Sequence, residues 1–122
     1  SFEDDAYQIL FNLVENGIKY NREGGSVHVR VRHADDTVVI DVEDTGTGIP
    51  ESALPSIFNR FYRVDKARSR QAGGAGLGLS IVHEMVGRNF GTIEVTSKVG
   101  EGSRFTVTFP SFGSGEEEDG DA

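Results

Sequence analysis

Apolar residues recur at helical spacing over the first twenty positions. Ile9, Leu10, Leu13, Val14 and Ile18 fall three, four or one apart, the period that gathers them on one face of an α-helix. Glu3, Asp4 and Asp5 supply the acids that suit a helix N-terminus. The pattern predicts a helix over 4–20 with Leu13, Val14 and Ile18 facing the core. The period then changes. Residues 26–33 and 37–44 are rich in Val, with Ala34, Asp35 and Asp36 as the turn between them, which predicts a β-hairpin. A glycine loop runs to Pro50, a short helix is expected over 51–58, and 59–74 is polar, basic and finally glycine-rich. With so little to bury, that stretch is expected to be mobile. Leu77, Leu79, Ile81, Val82, Met85 and Val86 pattern a second helix ending near Asn89 and Gly91. Strands over 92–98 and 103–109, joined through Val99, Gly100, Glu101 and Gly102, predict a second hairpin. Helices and hairpins in this order imply an α+β fold with helices layered on one face of a sheet.

At 122 residues and 36% hydrophobic content, the chain suffices for one domain and not for two. It has no Cys, which excludes disulfides and thiolate metal sites and suits a cytoplasmic setting. No apolar run approaches the roughly 20 residues of a membrane span, so no membrane contact by this fragment is expected, and any anchor would belong to a longer parent. The net charge is −8, but five of the acids lie in the Gly/Ser-flanked tail at 116–121, which leaves the body at −3. The expected organisation is a domain over 1–110 and a disordered acidic tail over 111–122. Nucleic acid is not an expected partner.

Three stretches carry candidate chemistry. Asn12, Asn16 and Tyr20 are spaced four apart with Lys19 adjacent, so one helix offers amides, a phenol and an amine. An amide oxygen is a hard neutral ligand suited to Mg²⁺, and Asn16 is the candidate, supported by Asn12. The same row also fits a solvated helix face. Asp44 ends a strand just before Thr45, Gly46, Thr47, Gly48, Ile49 and Pro50. A carboxylate there could accept a hydrogen bond from an adenine amino group and would oppose the carbonyl of guanine; a plain glycine turn is the competing reading. Gly73, Gly74, Ala75, Gly76, Leu77, Gly78 and Leu79 open the second helix, whose free N–H groups could meet phosphate. Arg60, Arg63, Lys66, Arg68 and Arg70 crowd just ahead, five of the chain's twelve Lys and Arg, a local anion trap in an acidic protein. No strand directly precedes these glycines and no Gly-Lys-Ser/Thr follows, which excludes the Rossmann and P-loop readings.

Taken in order, these segments resemble the histidine-kinase ATP-binding domain of the GHKL superfamily, over roughly residues 4 to 110. The stretch from Asn12 to Tyr20 is similar to the N box, Asp44 to Pro50 to the G1 box and Phe58 to Arg63 to the F box. Gly74 to Leu79 is similar to the G2 box, and Gly100 to Phe105 to the last glycine box. The resemblance implies a two-layer α/β sandwich of the GHKL type, its helices on one face of a mixed, mostly antiparallel sheet, with a mobile ATP lid over 64–74. It implies that Asn16 holds Mg²⁺, that Lys19 and Tyr20 contact phosphate or ribose, that Asp44 reads adenine and that Arg63 approaches the γ-phosphate. Gly46, Gly48, Ile49, Phe61, Gly74, Gly76, Leu77, Gly78, Leu79 and Ser103 complete the expected ATP site.

Hydrolysing relatives carry a Glu one turn before the metal-binding Asn. Here Asn12 stands there, and an amide cannot take a proton from water. The expected reaction is therefore transfer of the γ-phosphoryl group to a histidine on a separate dimerisation domain, with a response regulator further downstream. His28, His33 and His83 lack the acceptor motif. Family members tend to carry two strands ahead of the first helix, and without them a sheet edge is left exposed. Asn89, Phe90 and Gly91 replace the family's His-Gly-Gly, and Asn21 a usual Ser or Thr. A non-catalytic nucleotide-sensing module, a GHKL ATPase and a protein-serine kinase are the competing functions.

Overall fold

The computed structural model describes residues 2–59 and 78–110. Its elements run α1 (Phe2–Lys19), β1 (Val27–Ala34), β2 (Thr37–Asp44), a short 3-10 helix (Glu51–Ser56), α2 (Gly78–Arg88), β3 (Thr92–Lys98) and β4 (Gly102–Pro110). The strands form one sheet in the order β1-β2-β4-β3. Every pairing is antiparallel, so the sheet expected to be mixed is wholly antiparallel among the described residues.

Strand alternation decides what the helices cover. Ile40 and Val42 of β2, with Phe105, Val107 and Phe109 of β4, point to the side where α1 and α2 lie, and Ile93 and Val95 of β3 join them. Ile9 and Leu13 of α1, Val82 and Val86 of α2, and Ile57 close this core from above. Each such side chain contributes about 1.5–3 kcal/mol on burial, so this two-layer contact holds the domain together.

Three expectations need correction. Ile18 is 63% exposed, because the buried stripe of α1 runs Asp5, Ile9, Leu13 and Gly17, and Ile18 lies about one hundred degrees further round the helix. The 51–58 helix is a 3-10 helix containing Pro55, which has no N–H to give to an α-helical ladder. Finally, β1 sits one residue later than expected, because Ala34 pairs with Thr37 across a two-residue turn in which Asp35 has φ 53°.

α1 and α2 are pinned at one end by a polar clamp. Asp5, 7% exposed, accepts two bonds from Arg88, at 2.6 and 2.8 Å. Asn89 Nδ2 adds a third at 2.7 Å and also reaches the Met85 carbonyl at 2.8 Å. The guanidinium and amide hold the Asp5 carboxyl well below the usual carboxylate range. Among the described residues β1 is one of the two edge strands of the sheet. Its Val29 and Val31 share the helix-facing side with Val27 yet are 43% and 58% exposed. Arg30 and Arg32, with no acid in Val27–Ala34, give the edge a charge that opposes pairing with a second copy of itself.

Candidate functional site

The end of β2 is where both hairpins and the C-terminal turn of α1 converge. Asp44 lies there on the helix-facing side, 9% exposed, and α1 crosses above it at Gly17. A Cβ on Gly17 would stand 3.2 Å from Val27 Cγ2 and 3.4 Å from Asp44 Cβ, so the missing side chain allows helix and strand to touch. The turn of α1 that carries Asn16 and Tyr20 thereby lies over the strand end.

Backbone contacts then fix the loop that follows Asp44. Thr45 N–H donates to the Ser26 carbonyl at 3.1 Å, Thr47 N–H to the Tyr20 carbonyl at 3.2 Å, and Gly100 N–H to the Thr47 carbonyl at 2.9 Å. Arg22 Nη1 adds a 3.4 Å bond to the Gly100 carbonyl. Glycine is required where these backbones meet. A Cβ on Gly46 would stand 2.6 Å from the Tyr20 carbonyl, and one on Gly48, at φ 78°, would collide with the Lys98 carbonyl. Gly102, at φ 129°, would drive a Cβ into the Asp44 carbonyl. The glycines of the two motifs are thus a packing device that joins loop, helix end and hairpin tip.

The Asp44 carboxylate accepts the Gly46 N–H at 2.8 Å and a bond from the Ser103 amide. Burial pushes its pKa up; the two amides pull it back, and Glu43 adds a smaller upward push. Ser103 pairs with Asp44 across β4 and β2 and is 7% exposed. Its hydroxyl lies 2.8 Å from that of Ser97, and Ser97 Oγ accepts the Ile49 N–H at 2.7 Å.

On the α1 side, Asn12 is committed at both ends of its amide. Its Oδ1 accepts from Gln8 Nε2 at 2.9 Å and its Nδ2 reaches the Gly78 carbonyl at 3.5 Å, linking it to the first residue of α2. Asn16 is half-buried and makes no side-chain hydrogen bond to another described residue. Lys19 and Tyr20 are half-buried at the helix end, and Leu79 packs against the core.

The structure therefore brings together Asn12, Asn16, Tyr20, Asp44, Gly46, Gly48, Ile49, Gly78 and Ser103, with Lys19 beside them on α1. Phe61, Arg63, Gly74, Gly76 and Leu77 lie outside the described residues, as do Arg60, Lys66, Arg68, Arg70 and the expected lid. His28 and His33 are exposed on β1; His83 is exposed on α2, its ring 5.2 Å from that of Phe58. Among the described residues no group of three or more His, Asp or Glu could hold a metal ion, and no helix is long and apolar enough to cross a membrane. Ser97 was missed by sequence reasoning. Its signal was a polar residue continuing the inward-facing row of Ile93 and Val95.

Comparison with known proteins places this geometry. Residues 2–112 match the family described as histidine kinase-, DNA gyrase B-, and HSP90-like ATPase. The chain is 44% identical over 110 residues to the sensor histidine kinase WalK of Bacillus subtilis, covering 88% of this chain and 18% of that protein. It is 40% identical over 110 residues to the sensor histidine kinase RppB of Synechocystis, covering 90% and 24%. It thus spans no more than about a quarter of the length of these curated relatives. Among solved structures, the mycobacterial sensor histidine kinase MprB superposes with TM-score 0.77 at 28% identity, over 88% of this chain and 72% of that one. Full-length ShkA, solved in complex with AMPPNP, gives 0.74 at 33% identity, over 87% and 21%.

Proposed function

From the premise that the chain belongs to the histidine kinase-, DNA gyrase B-, and HSP90-like ATPase family, we propose that it binds ATP beside Asp44 and passes the γ-phosphoryl group to a histidine on a separate dimerisation domain. The observation that carries this reading is Asp44: a desolvated carboxylate at a strand end, hydrogen-bonded by backbone amides and with no cationic side chain beside it among the described residues. It retains acceptor capacity that an adenine amino group would use, and it would repel the guanine carbonyl.

The neighbouring groups suit the rest of the nucleotide. The N-terminus of α2 offers N–H groups to phosphate, and Lys19 and Tyr20 stand at the end of α1. Arg63 and the basic stretch would add charge at the γ-phosphate. For Mg²⁺, Asn16 offers a half-buried amide oxygen with no competing partner among the described residues, a hard ligand that leaves most of the shell to phosphate and water. The metal, when bound, would neutralise charge on the phosphate oxygens.

In the transfer, an imidazole nitrogen attacks the γ-phosphorus, the bond to the β-phosphate oxygen breaks, and ADP leaves. The role of this chain is to position the phosphates and stabilise charge. Asn12 stands where hydrolysing relatives have a carboxylate, and its amide is committed to Gln8 and Gly78, so this residue cannot serve as the base that takes a proton from water. A cytoplasmic setting and a downstream response regulator complete the proposal.

Calorimetry tests it. ADP should bind with Mg²⁺ dependence, and Asp44→Asn should weaken binding about 10- to 100-fold, the worth of a hydrogen bond to a charged group. An added acceptor domain should become phosphorylated from ATP. No ADP binding at millimolar concentration would overturn the reading, while binding without transfer would favour the nucleotide-sensing alternative.

A further inference from the structure

We infer that Ser97, a residue outside every glycine motif, is a positioning residue that sets the base preference of this site by fixing the direction of the Ser103 hydroxyl. The inference rests on the adenine reading above and deepens it.

The argument is a proton count. A serine hydroxyl has one hydrogen to donate and two lone pairs. Ser97 Oγ has three partners: the Ile49 N–H at 2.7 Å, the Gly102 carbonyl at 3.0 Å and Ser103 Oγ at 2.8 Å. The amide can only donate, so it occupies one lone pair. The carbonyl can only accept, so it takes the single hydrogen. What remains on Ser97 is one lone pair, and the only arrangement that satisfies all three partners has Ser103 donating to it.

Ser103 Oγ is thereby left with two lone pairs and no free hydrogen. It lies directly across the β2–β4 pairing from Asp44, whose carboxylate is also an acceptor when ionised. Two acceptors carried by cross-strand partners on the same face of the sheet would match an exocyclic amino group with its two hydrogens. They oppose a carbonyl at the same place on the ring, because acceptor would face acceptor in a buried setting. Removing the Ser97 hydroxyl releases the Ser103 proton, and Ser103 can then donate to such a carbonyl. Base choice is held by Asp44 and Ser103, and Ser97 supplies the polarity of the second.

The experiment compares binding of ADP and inosine diphosphate, which differ in the base and share ribose and phosphates, so a merely loosened site lowers both affinities and leaves their ratio in place. The unchanged chain is measured first. If it binds no ADP, the nucleotide reading falls and this inference with it. If it binds ADP, Ser97→Ala should lower the ADP to inosine diphosphate preference by about tenfold, the scale of one misdirected hydrogen bond, while Ser97→Thr should keep it within about twofold. Ser103→Ala should lower the preference as well, and adding Ser97→Ala to it should change nothing further. Ser97→Cys, which fills the space but hydrogen-bonds weakly, replaces Ser97→Ala should the latter fail to fold. A preference left intact in the folded variants, or independent losses in the double variant, overturns the role of Ser97 alone.

Discussion

Asp41 and Asp44 stand three residues apart on one strand, are 3% and 9% exposed, and titrate in opposite directions. Asp41 faces the open side of the sheet. There the Thr106 hydroxyl donates to it at 2.7 Å and Arg104 Nη2 at 3.4 Å; the Thr106 bond, with Arg104 behind it, outweighs desolvation and holds the carboxyl below its ordinary value. Asp44 faces the helix side, where backbone amides are its described partners and burial prevails, so its pKa is pushed up. One acid is answered by the fold and the other is answered only in part. The difference teaches where to look for a ligand: at the buried charge whose partners are incomplete.

The sharpest way to break that comparison is to alter the surroundings of each acid. Around Asp41 they are side chains, and around Asp44 they are backbone groups held in place by glycines. Gly102→Ala forces a Cβ toward the Asp44 carbonyl at φ 129°, so it should cost at least about 2 kcal/mol of stability, from strain together with the contact. Thr106→Ala removes one hydrogen bond from Asp41 and leaves Arg104 in place, and should cost about 1.5 kcal/mol, the lower end for a bond to a charged group. Urea midpoints of the two variants decide it. If Thr106→Ala proves the more damaging, the backbone account of the Asp44 end is wrong.

The legible part of this architecture is the part with a local period. Both helices, both hairpins and Asp44 at its strand end follow from spacing and turn residues. Asp5 was read as an acid suited to a helix N-terminus, whereas its main partners are Arg88 and Asn89, more than eighty residues away. No local pattern carries such a pair, although the replacement of His-Gly-Gly at 89–91 marked the place. Ile18 was misassigned because a glycine, Gly17, occupies the buried stripe, and hydrophobic spacing gives a glycine no weight. Ser97 and Asp41 are polar residues in strands, and their roles depend on which face the register gives them.

A smaller effect separates the two acids by pH. Asp44 has a folded pKa above the usual 3.8, so the folded chain keeps this proton over a window in which the unfolded chain has lost it. Its stabilising contribution is present below the unfolded value and lost as pH rises through the raised folded value. Asp41 behaves inversely, contributing above 3.8 and losing that contribution as pH falls through its depressed folded value. Asp44→Asn should therefore raise the nucleotide-free unfolding midpoint at pH 7 and flatten the pH dependence just above 3.8, in the same variant that loses ADP affinity. Asp41→Asn should lower the midpoint at pH 7. Thermal unfolding across pH 3 to 8 distinguishes them, and a destabilised Asp44→Asn would count against desolvation as the dominant cause.

The smallest expected effect comes from Glu43, which sits between the two acids in sequence. It bonds Arg30 at 3.2 Å on the open side, and its charge adds the minor upward push on Asp44. Glu43→Gln loses a half-exposed ion pair of the kind that contributes about 0–1 kcal/mol, so stability should hardly move. The titration of Asp44 should still respond, because a like charge on the adjacent residue disfavours its ionised form whichever face it occupies. Carboxyl carbon shifts measured by NMR against pH should therefore show Asp44 titrating lower in the variant and Asp41 unmoved or slightly lower. An upward shift at Asp44 would mean that Glu43 acts through Arg30, by drawing that cation toward the strand, and the environment of Asp44 would then have to include the open face of the sheet.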